Sequence, residues 1–224
     1  MPSILMATVV DRAEKTLQDE TNVRWSASEL LSYGNDGQKH IVLVKPDAYT
    51  KNENLILVEG TKQTIPATAV RLMRAVRNMG TDGSTPGDVI RWADLETLDN
   101  TRPSWHTDTA SATVKNVLAD KNNPRNFYVT PPQPASGFGY IEIIYSASPA
   151  DATIDGVDGE STDSTITLDD IYFDPIYFYI LFKAHSKEVS TSNKEKAMNY
   201  YNLMLQSLGL KTQGEVTADK AKSS

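Results

Sequence analysis

Carboxylates are abundant in this sequence, with 29 Asp and Glu, and some stand in close pairs: Asp94/Glu96, Asp151/Asp155 and Asp169/Asp170. Two carboxyl groups about 5–9.5 Å apart across a cleft would serve glycoside hydrolysis. Nothing in the pattern marks such a cleft. Asp169 and Asp170 stand where a helix should begin, and the helix dipole favours negative charge there. Taking Asp151 as the first position of a calcium loop puts Thr153, Asp155 and Gly156 at the third, fifth and sixth. The twelfth is Thr162, where a bidentate glutamate is needed. Residues 151–164 therefore read as an exposed, flexible acidic loop.

The remaining polar candidates are sparse. His40, His106 and His185 lie outside any metal-ligand spacing. His40 and His185 fall late in expected helices, where a cation complements the dipole. Trp92, Trp105 and His106, near Pro103, can either present a sugar-stacking surface or pack a β-rich region; packing is the simpler reading. The chain has no cysteine, which excludes disulfides, thiolate metal sites and cysteine nucleophiles. G-x-S-x-G, the P-loop, G-x-G-x-x-G and H-E-x-x-H are all missing, and Gly137–Tyr140 reads as a turn entering a strand. No catalytic residue, metal site or cofactor is expected.

The elements that must position these residues follow from periodicity. Leu5, Val9, Ala13 and Leu17 recur every four residues and predict a helix over 3–20. Ser26 and Glu29 form a capping box for a second helix, Ala27–Val44, which stops before Pro46. Leu30, Leu31, Ile41 and Val42 supply its buried stripe, and Gly34 and Gly37 predict a kink. A hairpin is expected from 54–59 and 62–65, followed by a helix over 67–79 opened by Pro66 and ended by Gly80. Residues 81–168 hold most of the prolines and glycines, with strand candidates at 89–92, 112–117, 126–130 and 140–146. A helix from about Asp169 to Lys187 follows. The last helix, capped by Ser192 or Asn193, carries Ala197, Tyr201, Met204, Leu205 and Leu208 and ends at Gly209.

The expected fold class is mainly α with inserted β (α+β). Residues 1–80 and 169–209 form a helical bundle, 81–168 a β-rich, loop-rich insertion, and 210–224 a polar tail expected to be disordered. The run Ile171–Phe182 is apolar nearly all round, so it is either the central helix or one shared between the core and a subunit interface. Tyr172, Phe173, Tyr177, Phe178, Trp92 and Trp105 are the candidate core or interface aromatics.

A net charge of -7, with no Lys/Arg stripe, argues against DNA as a bound ligand. The longest apolar run, Ile176–Phe182, is far below the ~18 residues a membrane span needs, and the N-terminus lacks a basic region of the signal-peptide kind. A soluble protein is expected.

Two stretches carry a resemblance. Val10–Ala13, Leu17–Glu20, Val23–Trp25, Glu29–Gln38 and Val44–Ala48 form the first; Leu168–Tyr172, Asp174–Ile176, Tyr179–Ala184, Ser192/Asn193, Lys196/Ala197, Tyr200/Tyr201 and Leu208/Gly209 form the second. Together they resemble the head-to-tail adaptor (connector) proteins of short-tailed bacteriophages. Gly34 departs from the larger apolar residue expected there. The resemblance implies a non-catalytic virion protein assembled in the host cytoplasm. It implies a homo-oligomeric ring, usually of twelve subunits, in the neck between the portal protein and the tail nozzle or tail fibre proteins, with DNA passing through its channel unbound. In such adaptors the helices form the ring body, the insertion meets tail components and a terminal segment docks on the portal. By position that segment is Leu210–Ser224, with Leu210, Lys211, Thr212 and Val216 as candidate contacts. The alternatives are another neck or tail-completion ring protein (a head stopper) and, more distantly, a carbohydrate-active tail enzyme using Asp94 and Trp105.

Overall fold

The computed structural model describes residues 2–120, 122–187 and 191–210. In chain order the elements are α1 (Met6–Leu17), α2 (Ala27–Val44), β1 (Thr50–Ile56), β2 (Gly60–Thr64), β3 (Ala69–Asn78), β4 (Arg91–Trp92), α3 (Leu95–Thr101), β5 (Asn116–Ala119), β6 (Asn126–Gln133), β7 (Tyr140–Ala147), α4 (Phe173–Ser186) and α5 (Thr191–Ser207). The fold is α+β. The chain divides into two compact units, one containing Met1–Ala48 and the chain from Pro149 on, the other Tyr49–Ser148. The β-rich insertion thus starts and ends earlier than the expected 81–168.

In the helical unit, α4 packs against α1, α2 and α5. It buries Pro175, Ile176, Tyr177, Tyr179, Ile180, Leu181 and Ala184, which is why its sequence is apolar around most of its circumference. α1 starts at Met6, three residues later than expected, because the chain before it pairs with another segment. The Met6 N–H donates to Ser164 O (3.0 Å) and Ile166 N–H to Ile4 O (2.9 Å). Asp170 completes this clamp. Its carboxylate accepts from Ser3 Oγ (2.6 Å), Ser3 N (2.8 Å) and Ile4 N (3.1 Å), and these bonds hold its pKa below the usual carboxylate value. Asp170 was expected to serve a helix dipole; Asp174 holds the acidic position in the first turn of α4.

The α1–α2 connection is organised on Asp19, which accepts from the backbone N–H of Val23 (2.9 Å), Arg24 (2.8 Å) and Trp25 (2.9 Å). Ser26 Oγ then accepts from Glu29 N–H at 3.2 Å, as the capping box predicts. α2 is one continuous helix through Gly34 and Gly37. These glycines give close packing: a Cβ on Gly34 would meet Met6 Sδ at 2.8 Å, and one on Gly37 would meet Tyr179 Cδ1 at 3.2 Å. Gln38, fully buried, accepts from Thr167 N–H at 2.6 Å and fixes the segment leading into α4.

The second unit holds two sheets, of order β1-β7-β3 and β2-β6-β5-β4. They share one core of Leu72 and Ala75 from β3, Val117 from β5, Phe127 and Val129 from β6, and Ile141, Ile143 and Tyr145 from β7. The expected hairpin does not form: β1 pairs with β7, and β2 pairs with β6 in the other sheet. The expected helix over 67–79 is strand β3. Its pairing with β7 shifts register three times, between Ala69/Arg71, Leu72/Arg74 and Ala75/Arg77. Each β-bulge adds one residue to β3, so its ten residues oppose only Ile141–Ala147. Ala69, Leu72, Ala75 and Asn78 are therefore buried at a period of three, which imitates a helix. Helix α3 lies in the region expected to hold only strands and loops.

Candidate functional site

Three surfaces or clusters bear on function: the aromatics of α4, the Trp105 cluster and the outer face of β3. Tyr172, just ahead of α4, and Tyr177 within it are buried, and Phe173 and Phe178 are half-buried. Tyr177 Oη lies 2.7 Å from Thr16 Oγ1, and the Arg12 guanidinium stands over the Tyr177 and Phe173 rings at 4.7 and 5.0 Å. Arg12 also pairs with Asp174 at 3.2 Å. Phe178 stacks on Tyr200 of α5. These contacts lie within one subunit and tie α4 to α1 and α5.

His40 and His185 belong to the same packing. His40 lies against Tyr179 and Tyr201, 3.3 Å from the Tyr201 hydroxyl. Burial, with a smaller contribution from Lys183, pushes its pKa below the ordinary imidazole value. His185 stacks on Tyr200 with the rings nearly parallel. Burial, then the charges of Lys196 and Arg24, lowers its pKa too.

In the β unit, Trp105 is fully buried and donates from Nε1 to Asp99 Oδ1 at 2.8 Å. His106 stacks on it at 3.7 Å, and its Nδ1 lies 2.8 Å from Thr61 Oγ1. Trp105 is thus a core residue and offers no sugar-stacking face. Trp92 is 44% exposed. Asp94 caps α3, accepting from Thr97 N–H at 2.9 Å. The acidic loop is exposed, yet Lys39–Asp151 (2.6 Å), Ser28 Oγ–Asp158 (2.8 Å) and Asp155 N–Asp163 (2.9 Å) tie it down. Among the described residues no group of three or more His, Cys, Asp or Glu is placed to hold a metal, and no helix is long and apolar enough to cross a membrane.

The outer face of β3 escaped the sequence reading. Arg71, Arg74 and Arg77 recur at the bulges, paired in register with Ser146, Ile144 and Glu142. Arg77 Nε donates to Glu142 Oε2 at 2.6 Å, and Glu142 also accepts from Asn52 Nδ2 at 2.8 Å. Arg71 and Arg74 are exposed. Read as a helix, this segment gave no reason to align the three arginines along one strand; the signal available was their spacing of three.

Of the candidate docking residues, Leu210 is half-buried and donates from its N–H to Leu205 O at 2.9 Å, beyond the end of α5. Lys211, Thr212 and Val216 lie outside the described residues.

No curated protein matches the chain. The model of the SU10 adaptor protein family matches residues 5–222, a span that takes in both units. With nearly its whole length matched, the chain belongs to the SU10 adaptor protein family and is a phage structural adaptor.

Proposed function

We propose that this chain is the subunit of a head-to-tail adaptor ring, of twelve copies, seated in the virion neck between the portal protein and the tail nozzle. The observation that carries the reading is the family match over residues 5–222. In this reading the helical unit forms the ring body, the β unit faces the tail nozzle or tail fibre proteins, and residues 210–224 dock on the portal. The subunit extends the DNA channel. A net charge of -7 suits a surface past which DNA slides without counterion-releasing contacts. The role is structural and calls for no catalytic residue.

The test is to size the purified chain alone and mixed with portal rings, and to image the virion neck. A monomer or weak oligomer that becomes a ring on the portal is the expected result. Deleting residues 211–224 should abolish portal attachment. Localisation of the chain away from the neck would sink the proposal.

A further inference from the structure

We propose that Arg71 and Arg74, on the outer face of β3, receive the acidic turn 155–163 of the neighbouring copy in the ring, with Asp155 and Glu160 as the paired carboxylates. The inference rests on the ring reading above and names the contact that would close it.

The bulges of β3 bring one arginine to the outer face for every two residues of β7. At about 3.4 Å per residue, successive guanidinium-bearing positions stand about 7 Å apart. Arg77 is satisfied by Glu142, which also accepts from Asn52. Arg71 and Arg74 have no carboxylate within ion-pair distance among the described residues. Their register partners, Ser146 and Ile144, supply no negative charge. Between and beside them stand Val70 and Met73, so the row is cationic on an apolar strip.

The complementary element lies in the other unit of the same chain. Residues 155–163 carry Asp155, Asp158, Glu160 and Asp163 and no basic residue. The backbone turns tightly here, with Gly156 N–H donating to Glu160 O and Glu160 N–H to Val157 O, both at 3.0 Å. Asp158 accepts from Ser28, and Asp163 accepts from Asp155 N–H. Asp155 and Glu160 are exposed and have no basic partner among the described residues.

A closed ring of identical chains needs a heterologous contact, in which each copy offers one surface and receives a different one. Copies with a net charge of -7 repel one another at long range. A local pairing of opposite charge offsets that repulsion and sets the register of neighbours. Two exposed, oppositely charged surfaces on one chain meet both needs.

The chain has no cysteine, so introduced thiols are the only ones present. Rings are assembled on portal from a mixture of full-length Arg74→Cys and Glu160→Cys chains and then oxidised. A disulfide-linked dimer is expected from the mixture and from neither variant alone. Arg71→Glu/Arg74→Glu should lose ring assembly, and adding Asp155→Lys/Glu160→Lys to the same chain should restore it. Wild-type assembly should weaken as salt is raised. Should the reversal variant fail to fold, Arg71→Gln/Arg74→Gln should show a partial loss. Normal assembly of the folded arginine variants, with no cross-link, overturns the inference while leaving the ring standing. Retention of duplex DNA by the wild type but not by the arginine variants, with assembly unchanged, also overturns it. A wild-type chain that never forms rings on portal refutes the ring reading, and this inference falls with it.

Discussion

Met6 of α1 occupies the space that a side chain on Gly34 of α2 would need: a Cβ there would stand 2.8 Å from Met6 Sδ and 3.5 Å from Ile180 Cδ1. Met6 is itself fully buried. Leucine at position 34 gains about 1 kcal/mol in helix propensity over glycine, but overpacking of this kind costs about 1–3 kcal/mol for each modest misfit. A whole leucine against buried Met6 puts the steric cost ahead. Gly34→Leu should therefore lower the urea midpoint. Met6→Ala, which opens a cavity, should cost about 2–5 kcal/mol alone. Combined, the two changes should cost less than their sum, because the leucine fills the vacated space. Strict additivity would show that these residues do not share it.

Asn78 holds the far end of β3 through its side chain. Its Nδ2 donates to Asp88 O (3.0 Å) and Val114 O (2.8 Å), and its Oδ1 accepts from Val114 N–H (2.8 Å). The residue is 5% exposed. Asn78→Ala leaves the Val114 N–H and C=O without their side-chain partner, while Asp88 O keeps its bond from the Asn78 N–H, and a buried unsatisfied group costs about 1–3 kcal/mol. The expected loss is about 3 kcal/mol, confined to the β unit. Amide exchange should speed up along β3, β5 and β7 and stay unchanged in α1 and α2. Equal acceleration in both units would contradict this.

The helices of the first unit were legible because their packing has the ordinary helical period. Leu30, Leu31, Ile41 and Val42 are buried as the α2 stripe predicts, and Ser26 caps where expected. The segment 67–79 was misread because three consecutive bulges convert a strand's period of two into three. Pro66, expected at a first helical turn, instead accepts from Ala69 N–H in a turn ahead of β3. The hairpin over 54–65 failed for a different reason: local turn signals cannot reveal that the two strands enter different sheets. The arginine row was hidden by the same misreading of β3. Packing was the simpler reading for Trp105, but its partners Asp99, Thr61 by way of His106, and Tyr128 come from separate elements, which no local pattern brings together.

Two acid transitions should be separable. Burial, then nearby positive charge, holds His40 and His185 below the ordinary imidazole pKa of about 6.5. The unfolded chain then binds these protons first, so their stabilisation is complete above about pH 6.5 and is lost as pH falls toward the folded pKa. Asp19 behaves likewise at lower pH. Hydrogen bonds from the N–H groups of Trp25, Arg24 and Val23 depress its pKa. Its contribution is present above about pH 4 and disappears as pH falls through the folded value. His185→Phe should flatten stability between pH 6.5 and the folded pKa. Asp19→Ala should lower stability at pH 7 and draw level with the wild type in strong acid. Urea midpoints across pH check both; an Asp19→Ala deficit that persists undiminished in strong acid would refute the second.

The three tryptophans sit in different environments, which gives a direct optical check on the β unit. Trp25 and Trp105 are 3% and 0% exposed, whereas Trp92 is 44% exposed. Iodide should quench one fraction of the native emission, and Trp92→Phe should remove that fraction while leaving the thermal midpoint nearly unchanged. Trp105→Phe should behave in the opposite way. It loses the Nε1–H bond to Asp99 and part of the stack on His106, while the exposed Asp99 carboxylate turns to water. The lost hydrogen bond should cost about 0.5–1.5 kcal/mol. Trp105→Ala adds a cavity and should cost about 3–5 kcal/mol. An iodide-accessible Trp105, or a Trp105→Ala chain as stable as the wild type, would return this residue to the surface and revive a ligand-stacking role for it.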